Sequence, residues 1–400
     1  MRIIEIVDTT LRDGLQAPGI DFSRRQKTDT AMRIARIGVD EIEAGTPAMG
    51  DDACQDIREI IGLGLDTRIS LWCRAREDDL EMAAACCAEH VHISFPVSDI
   101  LLSAFEKDAA WVFDTLARIV PFACKRFSGV SVGAQDATRT DVKRLTAFAG
   151  AAAACGARRL RLADTVGISR PTGTDRLVRM LKNHVPEISL EFHAHNDLGM
   201  ATANAVTAAE AGADAVSVTV NGLGERAGNA PLEEVAAALH TADNIGSRIR
   251  AADLAGLCSH VAELSARPVP AAKPVTGSAV FTHESGIHCA GLFKNPLSYQ
   301  PFYPREVGRE DWRMVIGSHS GGCAVRAALA KHGIKMEPGL EAEFAVRVRD
   351  LAKKNNTLLV DRDLCRFYLD FLRSRKKHGQ DRSEEHGHEK TPHHKTGHPV

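Results

Sequence analysis

Two histidines, His193 and His195, stand two residues apart in the stretch ISLEFHAHNDLG. On a β-strand, residues two apart point to one face, so both imidazoles would project side by side. Two imidazoles can hold one divalent ion, and a carboxylate would complete a nitrogen and oxygen set suited to Zn, Mn or Fe more than to Ca. Asp13, in TTLRDG, is the carboxylate that a closed barrel would bring beside that strand. The plainer alternative is a pair of hydrogen-bonded core histidines.

Arg12 precedes Asp13 and puts a fixed cation next to such an ion, where it can stabilise an enolate or carboxylate oxygen. A salt bridge from Arg12 to Glu43 is the structural alternative, and the two roles are compatible. Glu43 lies in the apolar context EIEAG, where burying a carboxylate without a partner is costly, so a role in the site is expected. The loop NGLGERAGNA, residues 221–230, offers glycines and backbone amides that can approach an anion.

These residues need elements to position them. Short apolar or alternating runs recur at 3–7, 41–44, 68–73, 91–95, 129–133, 159–163, 188–195 and 215–220. Helical segments lie between them, among them 24–37, 110–119, 141–154 and 200–211. Strand and helix alternating eight times predict an α/β fold, a (β/α)8 TIM barrel, in which useful residues stand at the C-terminal ends of the strands. Thr9, Thr10, Arg12, Asp13, Glu43, Arg74, Thr165, His193 and His195 all fall at or near those ends. No glycine-rich dinucleotide fingerprint follows the first strand.

The barrel is expected over residues 1–262. Prolines 268, 270 and 274 then read as a linker and lid subdomain over 263–312. A small, mainly helical subdomain is expected over 313–375, with helical segments at 320–332, 340–354 and 361–375. A polar, disordered, His-rich tail is expected over 376–400, where a loose metal reserve is conceivable. A net charge of -2 argues against nucleic acid as a partner. Without a secretory leader or a spanning apolar stretch, the expected location is the cytoplasm, and the ten scattered cysteines are expected to be reduced.

Several stretches together resemble the pyruvate carboxyltransferase-like TIM metallolyases, the family of isopropylmalate, citramalate and homocitrate synthases. LRDGLQ with Lys27 is similar to the family's first signature and LEFHAHNDLGMATAN to its second. DTVG at 164–167, NGLGERAGNAPLEE, FTHESGIH at 281–288 and SYQPFYPREVG extend the resemblance across nearly all of residues 3–375. The blocks WCR, PVSD and VGAQDATR look closest to homocitrate synthases serving nitrogenase cofactor assembly.

The resemblance implies a divalent metal (Mn, Mg, Zn or Fe) on Asp13, His193 and His195, with Asn229 as a further ligand. It implies acetyl-CoA as co-substrate, condensed with 2-oxoglutarate to give homocitrate. Thr165 would hold the C1 carboxylate of the 2-oxo acid, and Gln16 and Arg12 would also contact substrate. His288 is the implied proton-transfer residue, assisted by Tyr299 or Glu43. Both His288 and Tyr299 would be lent by a second domain across a homodimer. One departure stands out: Ser131 and Gly133 occupy strand-five positions where lysine-pathway homocitrate synthases carry an Arg and a Ser. The distal-carboxylate clamp is therefore expected at Arg74, or less favourably at Arg139. A synthase using another 2-oxo acid, a lyase running the bond cleavage, and a non-catalytic metal binder are the alternatives.

Overall fold

The computed structural model of the chain describes residues 1–385. Eight parallel strands close into a barrel: β1 (Glu5–Asp8), β2 (Glu41–Glu43), β3 (Arg68–Arg74), β4 (His90–Pro96), β5 (Gly129–Gln135), β6 (Arg159–Asp164), β7 (Ser189–Ala194) and β8 (Ala215–Val218). Each strand pairs with the next, and β1 closes the ring on β8 with Glu5 opposite Ala215. The eight expected runs are these eight strands. Helices follow as the barrel demands, and the first, Arg24–Arg36, starts on a capping box between Ser23 and Gln26.

Alternation decides what each strand buries. One face of each strand meets the helices with apolar side chains, including Ile42, Leu71, Ile93, Val132, Leu162 and Phe192, all fully buried. The opposite face lines the barrel, and here it is polar: Glu41, Glu43, Ser70, His92, Ser131, Arg161, Glu191, His193 and Ser217 are all buried. Barrel interiors are ordinarily filled by branched aliphatic side chains, so this one must be held by internal pairing instead.

The chain divides into two compact units, Met1–Val280 with Arg305–Glu310, and Phe281–Pro304 with the residues from Asp311 onward. The proline-bearing segment expected to be a linker from residue 263 therefore belongs, as far as Val280, to the barrel unit. Lys273 ties it there: its Nζ lies 3.0 Å from Glu233 Oε1 and also pairs with Glu234. Glu233 is fully buried, so the pairing compensates a charge that would otherwise be stranded.

The second unit is built on helices Gly322–Lys331, Glu341–Asn355 and Asp361–Glu385 around Val325, Leu329, Phe344, Val348, Leu364 and Tyr368. The last helix runs to Glu385, ten residues past the boundary expected at 375. The rest of the expected tail, 386–400, lies outside the described residues. Among the described residues no helix is long and apolar enough to cross a membrane.

Candidate metal centre at the barrel mouth

At the C-terminal end of β7, His193 and the adjoining His195 turn into the mouth with ring centroids 4.8 Å apart and nearly perpendicular. Asp13, on the turn after β1, places Oδ2 3.1 Å from His193 Nε2 and 3.4 Å from His195 Nε2. One ligand atom from each of the three lies within 4.8 Å of the others. Sequence spacing predicted this trio, and ring closure brings it together.

The surroundings fit a cation. His195 Nδ1 lies 2.9 Å from the Thr165 carbonyl. A carbonyl only accepts, so Nδ1 is the donor to it and Nε2 is the nitrogen turned to the centre, the usual support for a ligating histidine. Burial pulls the pKa of His193 down to about 4, despite its hydrogen bond to Asp13, so the ring is neutral near pH 7. Burial alone would raise Asp13, but Arg12 and the two histidines outweigh it and hold the carboxyl well below its usual range. Asn229 is buried and bridged to His195 through the backbone. Its Nδ2 donates to the Leu223 carbonyl at 3.0 Å, which leaves Oδ1 buried with no hydrogen-bond partner. A buried orphan acceptor beside two imidazoles and a carboxylate is a donor set for a divalent ion.

Arg12 Nη1 lies 3.4 Å from Asp13 Oδ1, with the guanidinium 5.8 Å from the centroid of the Trp72 ring. Its Nε pairs with Glu43 Oε1, so the salt bridge considered as an alternative is present. Glu43 is fully buried and also forms a 2.8 Å ion pair with Arg161 Nη1. Burial pushes the carboxyl up, but the two arginines more than offset it and the pKa falls below the ordinary glutamate value. Glu43 is thus a fixed anion and not a base poised near neutrality.

Thr165 follows β6, and its Oγ1 accepts from the Asp136 amide at 2.8 Å, which leaves the hydroxyl proton to donate to another acceptor. Gln16 is exposed on the one-turn helix Gly14–Gln16 beside Asp13. Arg74 ends β3, yet its Nε and Nη2 are held by Asp79 at 2.9 and 2.8 Å. It lines an open cleft of about 780 Å³ with Trp72, Ser94, Gln135 and Trp111. Arg139 is engaged likewise by Asp136. In the second unit His288 and Tyr299 meet, ring centroids 4.2 Å apart, and both are exposed.

Sequence reasoning overlooked Arg161, Glu191, Ser217 and His92. The signal was present: Arg159 and Arg161 alternate in RLRLAD, as Glu191 and His193 do in SLEFHA, so they share the inward face.

An HMGL-like family model matches residues 3–261, and a second, described as homocitrate synthase post-HMGL domain-like, matches residues 275–356. The chain belongs to the HMGL-like family. It is an enzyme, and its relatives are of the acyltransferase kind. It is 42% identical over 370 residues to a 2-isopropylmalate synthase 2 of Caldanaerobacter subterraneus, covering 92% of this chain and 96% of the relative. It is 45% identical over 332 residues to a homocitrate synthase of Frankia alni, covering 82% and 94%. An HMG-CoA lyase structure from Bacillus subtilis superimposes with a TM-score of 0.61 at 19% identity, covering 68% of this chain and 96% of that one. That likeness speaks for the barrel alone.

Proposed function

We propose that this HMGL-like enzyme is a homocitrate synthase: it joins acetyl-CoA to 2-oxoglutarate and hydrolyses the product thioester to homocitrate and CoA. The cytoplasm is the proposed location, and nitrogenase cofactor assembly the process it would serve. The observation that carries the reading is the mouth itself, where a two-histidine, one-carboxylate set with a free Asn229 oxygen adjoins a rigidly held guanidinium. A divalent ion on Asp13, His193, His195 and Asn229 would supply Lewis-acid polarisation of the 2-oxo acid's ketone and a template for its carboxylate. Thr165 then donates its hydroxyl hydrogen to the C1 carboxylate. Arg12 faces the oxygen that gains charge as the acetyl methyl loses its proton, and its fixed orientation means no reorganisation is needed at that moment. His288 exchanges the proton, with Tyr299 against its ring, and both reach the mouth across a homodimer. Similarity to homocitrate synthases supports this choice of substrate.

A synthase of another 2-oxo acid is the second reading. One observation favours it: both arginines expected to grip a distal carboxylate are already engaged by Asp79 and Asp136. Free CoA release from acetyl-CoA, measured with 2-oxoglutarate, 2-oxoisovalerate, pyruvate and oxaloacetate, separates the two. The homocitrate assignment requires 2-oxoglutarate to be preferred, and preference for any of the other three overturns it.

A further inference from the structure

Charged side chains in this barrel form a continuous column, half-buried at its lower end and largely buried above it. At its lower end Arg68 pairs with Glu5 at 2.6 Å, and Arg159 pairs with Glu41 at 2.6 Å and with Glu191 Oε2 at 2.9 Å. Glu191 Oε1 accepts from Arg161 Nε at 2.7 Å and also from the Ser217 hydroxyl. Arg161 Nη1 then reaches Glu43, and Glu43 holds Arg12. Arg161 is the link between the structural half of the column and the half that opens on the mouth.

We infer that Arg161 is a positioning residue for the reaction, acting through Glu43 to fix the guanidinium of Arg12. The inference rests on the reading in which Arg12 faces the developing oxyanion. Arg161 is 2% exposed and lies at the level of Gly133 in the barrel register, out of reach of solvent. It bridges two carboxylates with a planar fork, Nε on one and Nη1 on the other. Glu43 is thereby gripped from below as well as from above. A carboxylate gripped from one side could turn with Arg12, whereas one gripped from both sides cannot.

Without Arg161, Glu43 and Glu191 would face each other as buried anions with no cation between them. Arg12 would then be the one cation still paired to Glu43 and would be drawn inward, away from the mouth. Lysine at 161 carries a single ammonium that cannot span both carboxylates as the fork does. A displacement of about 1 Å at a reacting centre can cost about a hundredfold in rate.

The test uses the metal-loaded full chain and the 2-oxo acid that the wild type turns over fastest. Arg161→Lys is expected to lower kcat about tenfold and Arg161→Met about a hundredfold. The KM for acetyl-CoA and the bound metal per chain should stay at wild-type values. The double variant Arg161→Met, Glu191→Gln removes one charge of each sign, so thermal stability should recover towards wild type while kcat stays low. Recovery of kcat together with stability would show a structural role only and overturn the inference, as would undiminished kcat in Arg161→Met. Should Arg161→Met fail to fold, the charge-balanced double variant carries the comparison. If the wild type releases no CoA with any 2-oxo acid, the assigned function fails and Arg161 is judged by calorimetry. Titrating 2-oxoglutarate and pyruvate into the Mn-loaded proteins, weaker binding in the double variant supports the inference, and equal binding overturns it.

Discussion

Since Thr165 offers a carbonyl to Nδ1 of His195, that nitrogen is committed as a donor and Nε2 is the one turned to the mouth. His193 has no such partner: its Nδ1 is buried without a hydrogen bond, and the ring is held from its Nε2 side by Asp13. His193→Ala is therefore expected to lose bound metal and turnover together, checked by metal analysis of the purified chain and by CoA release. A variant that keeps both would remove the metal assignment. Arg74 behaves differently. Two of its three guanidinium nitrogens are spent on the buried Asp79, so Arg74→Ala should change the KM for the 2-oxo acid by less than about threefold. A larger rise in steady-state KM would mean that Arg74 leaves Asp79 for substrate. The threshold corresponds to about 0.7 kcal/mol of binding free energy.

Among the elements, the loop after β8 is where backbone geometry controls chemistry. Gly228 has φ +84°, and a Cβ there would stand 1.9 Å from the Gly222 carbonyl oxygen. That carbonyl also accepts the Asn229 amide at 3.0 Å, so the close approach is what holds Asn229 beside His195. Gly228→Ala should push the two strands of the loop apart. Metal retained after dialysis should fall by about tenfold or more, the order that loss of a supporting group costs a metal site. Retention at the wild-type level would mean that Asn229 contributes nothing to holding the ion. The helix Ala109–Cys124 shows the opposite balance. Residue patterning stops it at Ile119, before Pro121, yet it continues through the proline. An interior proline costs about 3 kcal/mol, and the burial of Val112, Leu116, Ile119, Val120 and Ala123 on one face offsets it.

For the whole molecule, a polar barrel makes stability depend on pH from two directions. Glu41 is buried, but its ion pairs with Arg159 and Arg68 outweigh the burial and bring its pKa down to about 2. Its contribution is present above the usual glutamate range and is lost as pH falls towards about 2. Asp8 works in reverse: burial lifts it to about 7, against hydrogen bonds from the Thr10 amide and hydroxyl. The folded state then binds a proton that the unfolded chain has released. Stability from Asp8 is thus full below about pH 4 and drains away as pH rises to about 7. Asp8→Asn should flatten this loss, so that its Tm, relative to wild type, rises between pH 5 and pH 8 by scanning calorimetry. A parallel pair of Tm profiles would mean that Asp8 is ionised throughout.

Much of this was legible in the chain. Strand alternation, the His-x-His spacing and the polar strand ends pointed to a barrel whose mouth gathers Asp13, His193 and His195, because period two fixes which side chains share a face whatever the long-range fold. Alternation alone did not say that Arg161 and Glu191 join a column of charges beneath that mouth, since an inward polar residue gains meaning only from the neighbours that ring closure supplies. Nor did it say that Arg74 and Arg139 are already held by carboxylates, because each pairing depends on how a turn or a short helix folds back. The segment after residue 263 looked like a linker by its prolines, and only the buried Glu233 made it part of the barrel through Lys273. Sequence period determined direction. The closed ring decided partnership, because the charge of a buried group can be balanced only by what the fold brings within a few ångströms.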